Sequence, residues 1–171
     1  MSARARLVVP LLALIAVTAW AADPIGHWQI AGPLKVTTCR DGDCGSYDAT
    51  SVTGTFAGSA DGSFVSSPLL AECSTLPNLT GRWSPGSRAG RFKLVPTNGR
   101  DVRKALADCN EVKLRGGIRG WFQPNADGVT GKGQLHFRGR ANLHGTTSSF
   151  VATARFTATR TSGSPSGAFL E

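Results

Sequence analysis

The chain has 171 residues, 40% hydrophobic and 18% charged, with 21 Gly, 9 Pro and a formal charge of +8. It is too apolar and too aromatic to be wholly disordered, and it has neither the Gly-X-Y period of collagen nor the heptads of a coiled coil. One domain with a buried core is expected at this length, and the basic balance fits either plain solubility or an anionic partner such as an acidic glycan, lipopolysaccharide, nucleic acid or anionic lipid.

Residues 1–21 read as an export signal. Arg4 and Arg6 form a short basic region, an apolar run follows from Leu7, and Ala19-Trp20-Ala21 fits signal peptidase, so cleavage is expected after Ala21. The run is short for a membrane span and contains Pro10. No Cys stands at the cleavage point, which argues against a lipoprotein, and no later stretch could span a bilayer as a helix. Losing Arg4 and Arg6 lowers the formal charge from +8 to +6. The expected organisation is a cleaved signal (1–21), a single β domain (22–161) and a Ser/Gly/Pro-rich flexible tail (162–171). The expected location is periplasmic or extracellular.

Cys39, Cys44, Cys73 and Cys109 are even in number in an exported chain, which points to two disulfides. Of the three possible pairings we favour Cys39–Cys44 and Cys73–Cys109. The first closes a loop around Asp41-Gly42, a hairpin turn signal. A zinc site is disfavoured because there is no C-x-x-C and no nearby His. Asp41, Asp43 and Asp48 faintly suggest calcium, but the third ligand and terminal Glu of an EF-hand are missing.

Further along, Gly-x-aromatic recurs at Gly26-His27-Trp28, Gly54-Thr55-Phe56, Gly81-Arg82-Trp83 and Gly120-Trp121-Phe122. Each is read as opening a hairpin: an aromatic strand, turn residues, then a second short apolar run. Turn signals stand at Asp61-Gly62, Ser84-Pro85-Gly86, Asn98-Gly99 and Asp127-Gly128. Between Arg100 and Cys109 the pattern changes. Val102, Ala105, Leu106 and Cys109 fall on one helical face, which predicts one short helix near residues 100–109. Afterwards alternation returns. Leu135 and Phe137 alternate with Gln134, His136 and Arg138, and Phe150, Ala152, Ala154, Phe156 and Ala158 form one face of a long strand. The expectation is an all-β fold, an antiparallel barrel or sandwich of about 8–10 strands. A barrel is preferred because closure removes open sheet edges.

Gly26-His27-Trp28 on the first strand resembles the G-x-W that opens lipocalin-like and avidin-like barrels, grouped as calycins. The resemblance covers three residues and a strand count, and the other motifs of those families are absent. It implies that Trp28 closes one end of a barrel beneath a late arginine, Arg155 or Arg160. Periplasmic inhibitors of metalloproteases and of lysozyme are similar small barrels. A lysozyme inhibitor should be acidic, against the +6 of this chain.

Catalytic motifs are missing: there is no G-x-S-x-G, no H-E-x-x-H and no P-loop. His136 and His144 would face each other if a hairpin turned near Arg140, and a third metal ligand would then have to come from His27 or a carboxylate. Two solvent-facing strand histidines are the simpler reading. Asp101, Asp108, Glu111 and Glu72 are the carboxylates available for glycosidase chemistry, and the first three read as a solvated face. Asn78-Leu79-Thr80 is a glycosylation sequon. Cations stand beside aromatics at Arg82-Trp83 and Arg119 with Trp121, a combination that can stack on sugars or bases. The candidate ligand-binding residues are therefore Arg82, Trp83, Arg119, Trp121, His136 and His144.

No enzyme activity, cofactor or metal is expected. The function expected is an exported binding protein of the cell envelope, taking a small apolar or amphipathic molecule or an anionic surface. An envelope interaction or inhibitor protein acting through a basic surface is the alternative, and a metal-dependent hydrolase is third. Expected partners are an unknown small molecule, an anionic glycan or lipid, or an envelope protein, with no intracellular nucleic acid.

Overall fold

The computed structural model describes residues 22–67, 75–109, 113–143 and 145–162. Eight strands run in order around a closed antiparallel barrel: β1 (Gly26–Arg40), β2 (Asp43–Gly58), β3 (Ser63–Ser66), β4 (Leu79–Pro85), β5 (Phe92–Pro96), β6 (Lys113–Pro124), β7 (Thr130–Leu143) and β8 (Thr146–Ser162). One helix, α1 (Gly99–Cys109), sits between β5 and β6. The barrel closes where β8 pairs with β1, Ala158 opposite Ile30 and Ala154 opposite Leu34. Apolar residues point inward and polar ones outward, the reverse of a barrel whose strands face lipid. No helix among the described residues is long and apolar enough to cross a membrane.

Strand lengths divide the barrel into two halves. β3, β4 and β5 are short, so ladder pairing surrounds the barrel only at one end. β2 meets β3 over Phe56–Gly58 alone, and β5 meets β6 over three pairs from Phe92–Phe122 to Leu94–Gly120. Beyond these pairs, β6, β7, β8, β1 and β2 continue as a five-stranded trough. α1 packs beside the part of β6 that β5 leaves uncovered, and Arg103 Nη1 donates to the Gly116 carbonyl at 2.9 Å.

The closed half is filled with rings. Trp28 meets Phe122 edge-on at 5.0 Å, Phe56 lies 5.2 Å from Phe122 and 5.6 Å from Phe64, and Phe122 stacks on Phe156 at 6.2 Å. Aromatic pairs in this range add to their area burial. The Gly-x-aromatic repeats thus send Trp28, Phe56 and Phe122 into one cluster. Gly133 has to be glycine here. It is flanked by Phe156 and Phe122 in the ladders, and a Cβ on it would run into the Phe156 ring. The arginine over Trp28 is Arg160, its guanidinium 4.4 Å from the ring centroid, and Arg155 points outward from β8. Trp28 Nε1 also donates to the Pro24 carbonyl at 3.1 Å.

Several expectations need correction. No turn follows Trp28: β1 runs on to Arg40, because Leu34 and Val36 continue its inward alternation into the trough. Asn98-Gly99 is not a hairpin turn but the start of α1, for which Asn98 supplies the first backbone acceptor. The Asn98 side chain ties that start to the chain around β4, accepting from Thr80 N at 2.9 Å and donating to Asn78 O at 2.7 Å. β7 does not turn near Arg140. It extends to Leu143, so His136 faces Arg119 and Thr153 across the ladders and not a second histidine. β8 also reaches Ser162, one residue past the expected domain end.

The helix falls as expected, with Val102 buried and Ala105 and Leu106 packed on the core. The Cys39–Cys44 disulfide is present, joining directly paired residues whose Cα atoms lie 4.1 Å apart. Asp41 and Gly42 form the turn with φ of 50° and 93°, the left-handed pair that a two-residue hairpin requires. Cys109 is disulfide-bonded, while Cys73, its expected partner, lies outside the described residues. The Cys39–Cys44 loop is short and exposed. Replacing both cysteines by Ser should cost about 2 kcal/mol or less in a denaturant titration. The trough floor should be undisturbed.

Candidate functional site

The trough is hollow. A cavity of about 450 Å³ opens there, lined chiefly by Leu34, Val36, Val52, Ile118, Phe137 and Ala152, with Val102 and Leu106 of α1 on its flank. Strand register builds its floor. Tyr47, Val36, Ala152, Phe137 and Ile118 form one unbroken inward row across β2, β1, β8, β7 and β6. The row below holds Leu34, Ala154, Leu135 and Gly120. Above it come Thr38, Phe150, Gly139 and Gly116, with the Phe150 ring 5.1 Å from Phe137. An eight-stranded barrel is just wide enough for ordinary side chains to fill. Here Ala152, Ala154, Gly120, Gly139 and Gly116 are too small to reach across, so the space stays open. At the closed end the same strands carry Phe156 and Phe122, and it is solid.

Polar groups at the cavity are few. Ser66 is buried, its Oγ donating to the Ser67 carbonyl at 3.3 Å, and Ser67 Oγ accepts from Thr55 N at 2.8 Å. Tyr47 is 57% exposed, which places its ring at the mouth. The lining suits a hydrocarbon body with few directional contacts.

Outside the same strands the chemistry is opposite. β6 carries Lys113, Arg115 and Arg119, β7 carries Lys132, Arg138 and Arg140, and β8 carries Arg155, all exposed. None of the three strands contains Asp or Glu. Arg115 stands directly opposite Arg140, and Arg119 opposite His136, with Lys35 of β1 beyond Thr153 in the same row. Like charges placed directly across a ladder destabilise a sheet. No ion pair relieves them: among the described residues the salt bridge is Arg40–Asp41, on the far hairpin. Asp127, between β6 and β7, turns its carboxylate onto its own turn. It accepts from Val129 N and Thr130 N at 2.9 and 2.8 Å and from Thr130 Oγ1 at 2.6 Å, bonds that lower its pKa.

His136 sits in this basic field. Burial first, then Arg138 and Arg119, hold its pKa below the ordinary histidine value of 6.5. As pH falls below that value the unfolded chain takes up a proton that the folded chain resists. The stability this residue contributes is therefore present above the ordinary value and is lost as pH falls toward the lowered one. An NMR titration should place His136 below the value of an exposed histidine. His136→Gln should flatten the pH dependence of stability across that window.

The structure separates the other candidates. Arg82 and Trp83 lie on β4 at the closed end: Arg82 Nη2 donates to Asp61 O at 3.1 Å, and Trp83 donates to Ser59 O at 3.2 Å while meeting Phe92 edge-on at 5.3 Å. These contacts are structural. Trp121 faces outward from β6 with the Arg91 guanidinium 3.9 Å over its ring. Arg119 and Trp121 share the outer face, His136 is half-buried between that face and the cavity it borders, and His144 lies outside the described residues. Of the calcium candidates, Asp48 stands opposite Lys35 and Asp41 pairs with Arg40. No group of three metal-ligating side chains occurs among the described residues.

No family model matches the chain, and no curated protein matches it. Among solved structures, the crystal structure of the ywiB protein from Bacillus subtilis is similar at 11% identity over 83% of this chain and 96% of that one, with a TM-score of 0.31.

Proposed function

We propose that this chain is an exported, non-enzymatic barrel that binds a small apolar or amphipathic molecule in its open half. The cavity carries the reading. Its volume of about 450 Å³ lies within the range of small-molecule sites, and its lining is hydrocarbon apart from Ser66, Ser67, Tyr47 and His136. Ser66 and Ser67 bond to backbone groups and not to His136, an arrangement that favours holding a molecule over transforming it. A periplasmic or extracellular location is supported by the apolar leader and the hairpin disulfide. A calycin-type relationship is supported by the Trp28–Arg160 stack at the closed end.

The test is titration with a fluorescent hydrophobic probe, followed by native mass spectrometry of protein purified from its own host. Saturable binding near one equivalent, a raised unfolding temperature and a co-purifying small mass are expected. A chain that arrives bare and shifts with no lipid or apolar probe would overturn the reading.

A further inference from the structure

We infer that the convex outer face of β6, β7 and β8 docks the barrel on an anionic phospholipid surface. The inference goes beyond the cavity reading and rests on it in one respect: an apolar cargo has to be exchanged with a bilayer. The charge arrangement carries it. Arg115, Arg119, Arg138, Arg140 and Arg155 are exposed on adjacent strands without an acidic residue on any of them. Arg115 opposes Arg140, a repulsion that an external layer of phosphates would turn into attraction.

Shape selects the anion. Outward residues on one strand repeat about every 7 Å and neighbouring strands lie about 5 Å apart, so the cations form a broad patch and not a line. The patch is the outside of a barrel, with no groove to enclose a polymer. Single-stranded nucleic acid binds through exposed aromatic platforms, and the one ring here, Trp121, is already covered by Arg91. Duplex grooves need an inserted helix or ribbon, which this face lacks. A laterally extended layer of phosphate headgroups matches the lateral spread of the cations. Thr153 and Ser149 lie among the cations and offer hydroxyls to the same oxygens. The face carries no large protruding apolar group, so docking is peripheral and reversible.

The experiment is co-sedimentation of the mature protein with phosphatidylcholine vesicles, with and without phosphatidylglycerol. Binding should require phosphatidylglycerol and fall at least about tenfold when salt is raised to collapse the screening length. The triple variant R119Q/R138Q/R140Q should lose roughly fivefold per cation, about a hundredfold together. Its unfolding temperature should hold or rise, because repulsion is relieved. A double variant away from the face, R88Q/R100Q, should keep most of the binding. Equal binding to neutral vesicles, no effect of the triple variant, or tighter binding to a single-stranded oligonucleotide than to vesicles would each overturn the inference. Probe binding by the triple variant separates the two claims: it should stay intact if the cavity reading holds, whatever becomes of the docking face.

Discussion

Trp28→Ala should lower the stability of the barrel by about 3–5 kcal/mol, the range for removing a large ring from a packed core. Trp28 is 1% exposed and holds three neighbours at once. Its ring edge meets Phe122 at 5.0 Å, its face lies under Arg160 at 4.4 Å, and its Nε1 satisfies the Pro24 carbonyl at 3.1 Å. Truncation opens a void in the most ring-dense part of the molecule and uncovers a half-buried cation and a buried acceptor together. The surroundings cannot collapse into the space, because β1 is held there between β2 and β8. Trp28→Phe should cost less, since a ring would remain beneath Arg160 while the indole hydrogen bond is lost. Trp121→Ala is the contrast: that ring faces outward, and its loss should cost under about 1.5 kcal/mol. Urea titrations of the three variants with unchanged slope would establish the order. Equal losses for Trp28→Ala and Trp121→Ala would contradict the division into a closed aromatic end and a solvated outer face.

The same contrast marks what can be read along the chain and what cannot. Alternation identifies the inward faces at Leu135–Phe137 and Phe150–Ala158 because a strand has period two, and Asp41-Gly42 identifies the first hairpin because its left-handed pair suits those residues. The helix is legible because Val102, Ala105 and Leu106 keep a 3.6 period among residues that break the alternation. Lateral placement is not legible in this way. Arg115 and Arg140 are distant in sequence and adjacent in space only because β6 and β7 pair in one register. Taken along the chain, the cations look scattered. The available signal was the lack of acidic residues in β6, β7 and β8, which is visible only once those segments are taken as one meander. Asn98-Gly99 misleads for a related reason: the dipeptide suits a tight turn, yet here Asn98 begins a helix and anchors it to the chain near Thr80. The hollow half is hidden too, since Ala152 and Ala154 satisfy an apolar pattern as well as Leu would. What sets a cavity apart from a core is volume summed across five strands.

That volume argument gives the second large effect, in binding and not in folding. Ala152→Phe should abolish probe binding, by at least about thirtyfold, while changing stability by less than about 1.5 kcal/mol. Ala152 stands between Val36 and Phe137 in the row that floors the cavity, and a ring there would project into empty space. Overpacking costs energy when a site is already full, and this one is open, so added dispersion contacts with Leu34, Val36 and Phe137 offset the lost freedom. Phe156→Ala makes the opposite change two inward positions further along β8. It should destabilise strongly, because Phe156 is buried against Phe122 in the solid half. A core that is merely loosely packed would gain stability from Ala152→Phe without any change in probe affinity, because no bound molecule would be displaced. Loss of the probe with stability retained is the outcome that belongs to a ligand site. Retention of vesicle docking by the same variant would show that the two faces of β6, β7 and β8 act independently, the inner one through volume and the outer one through charge.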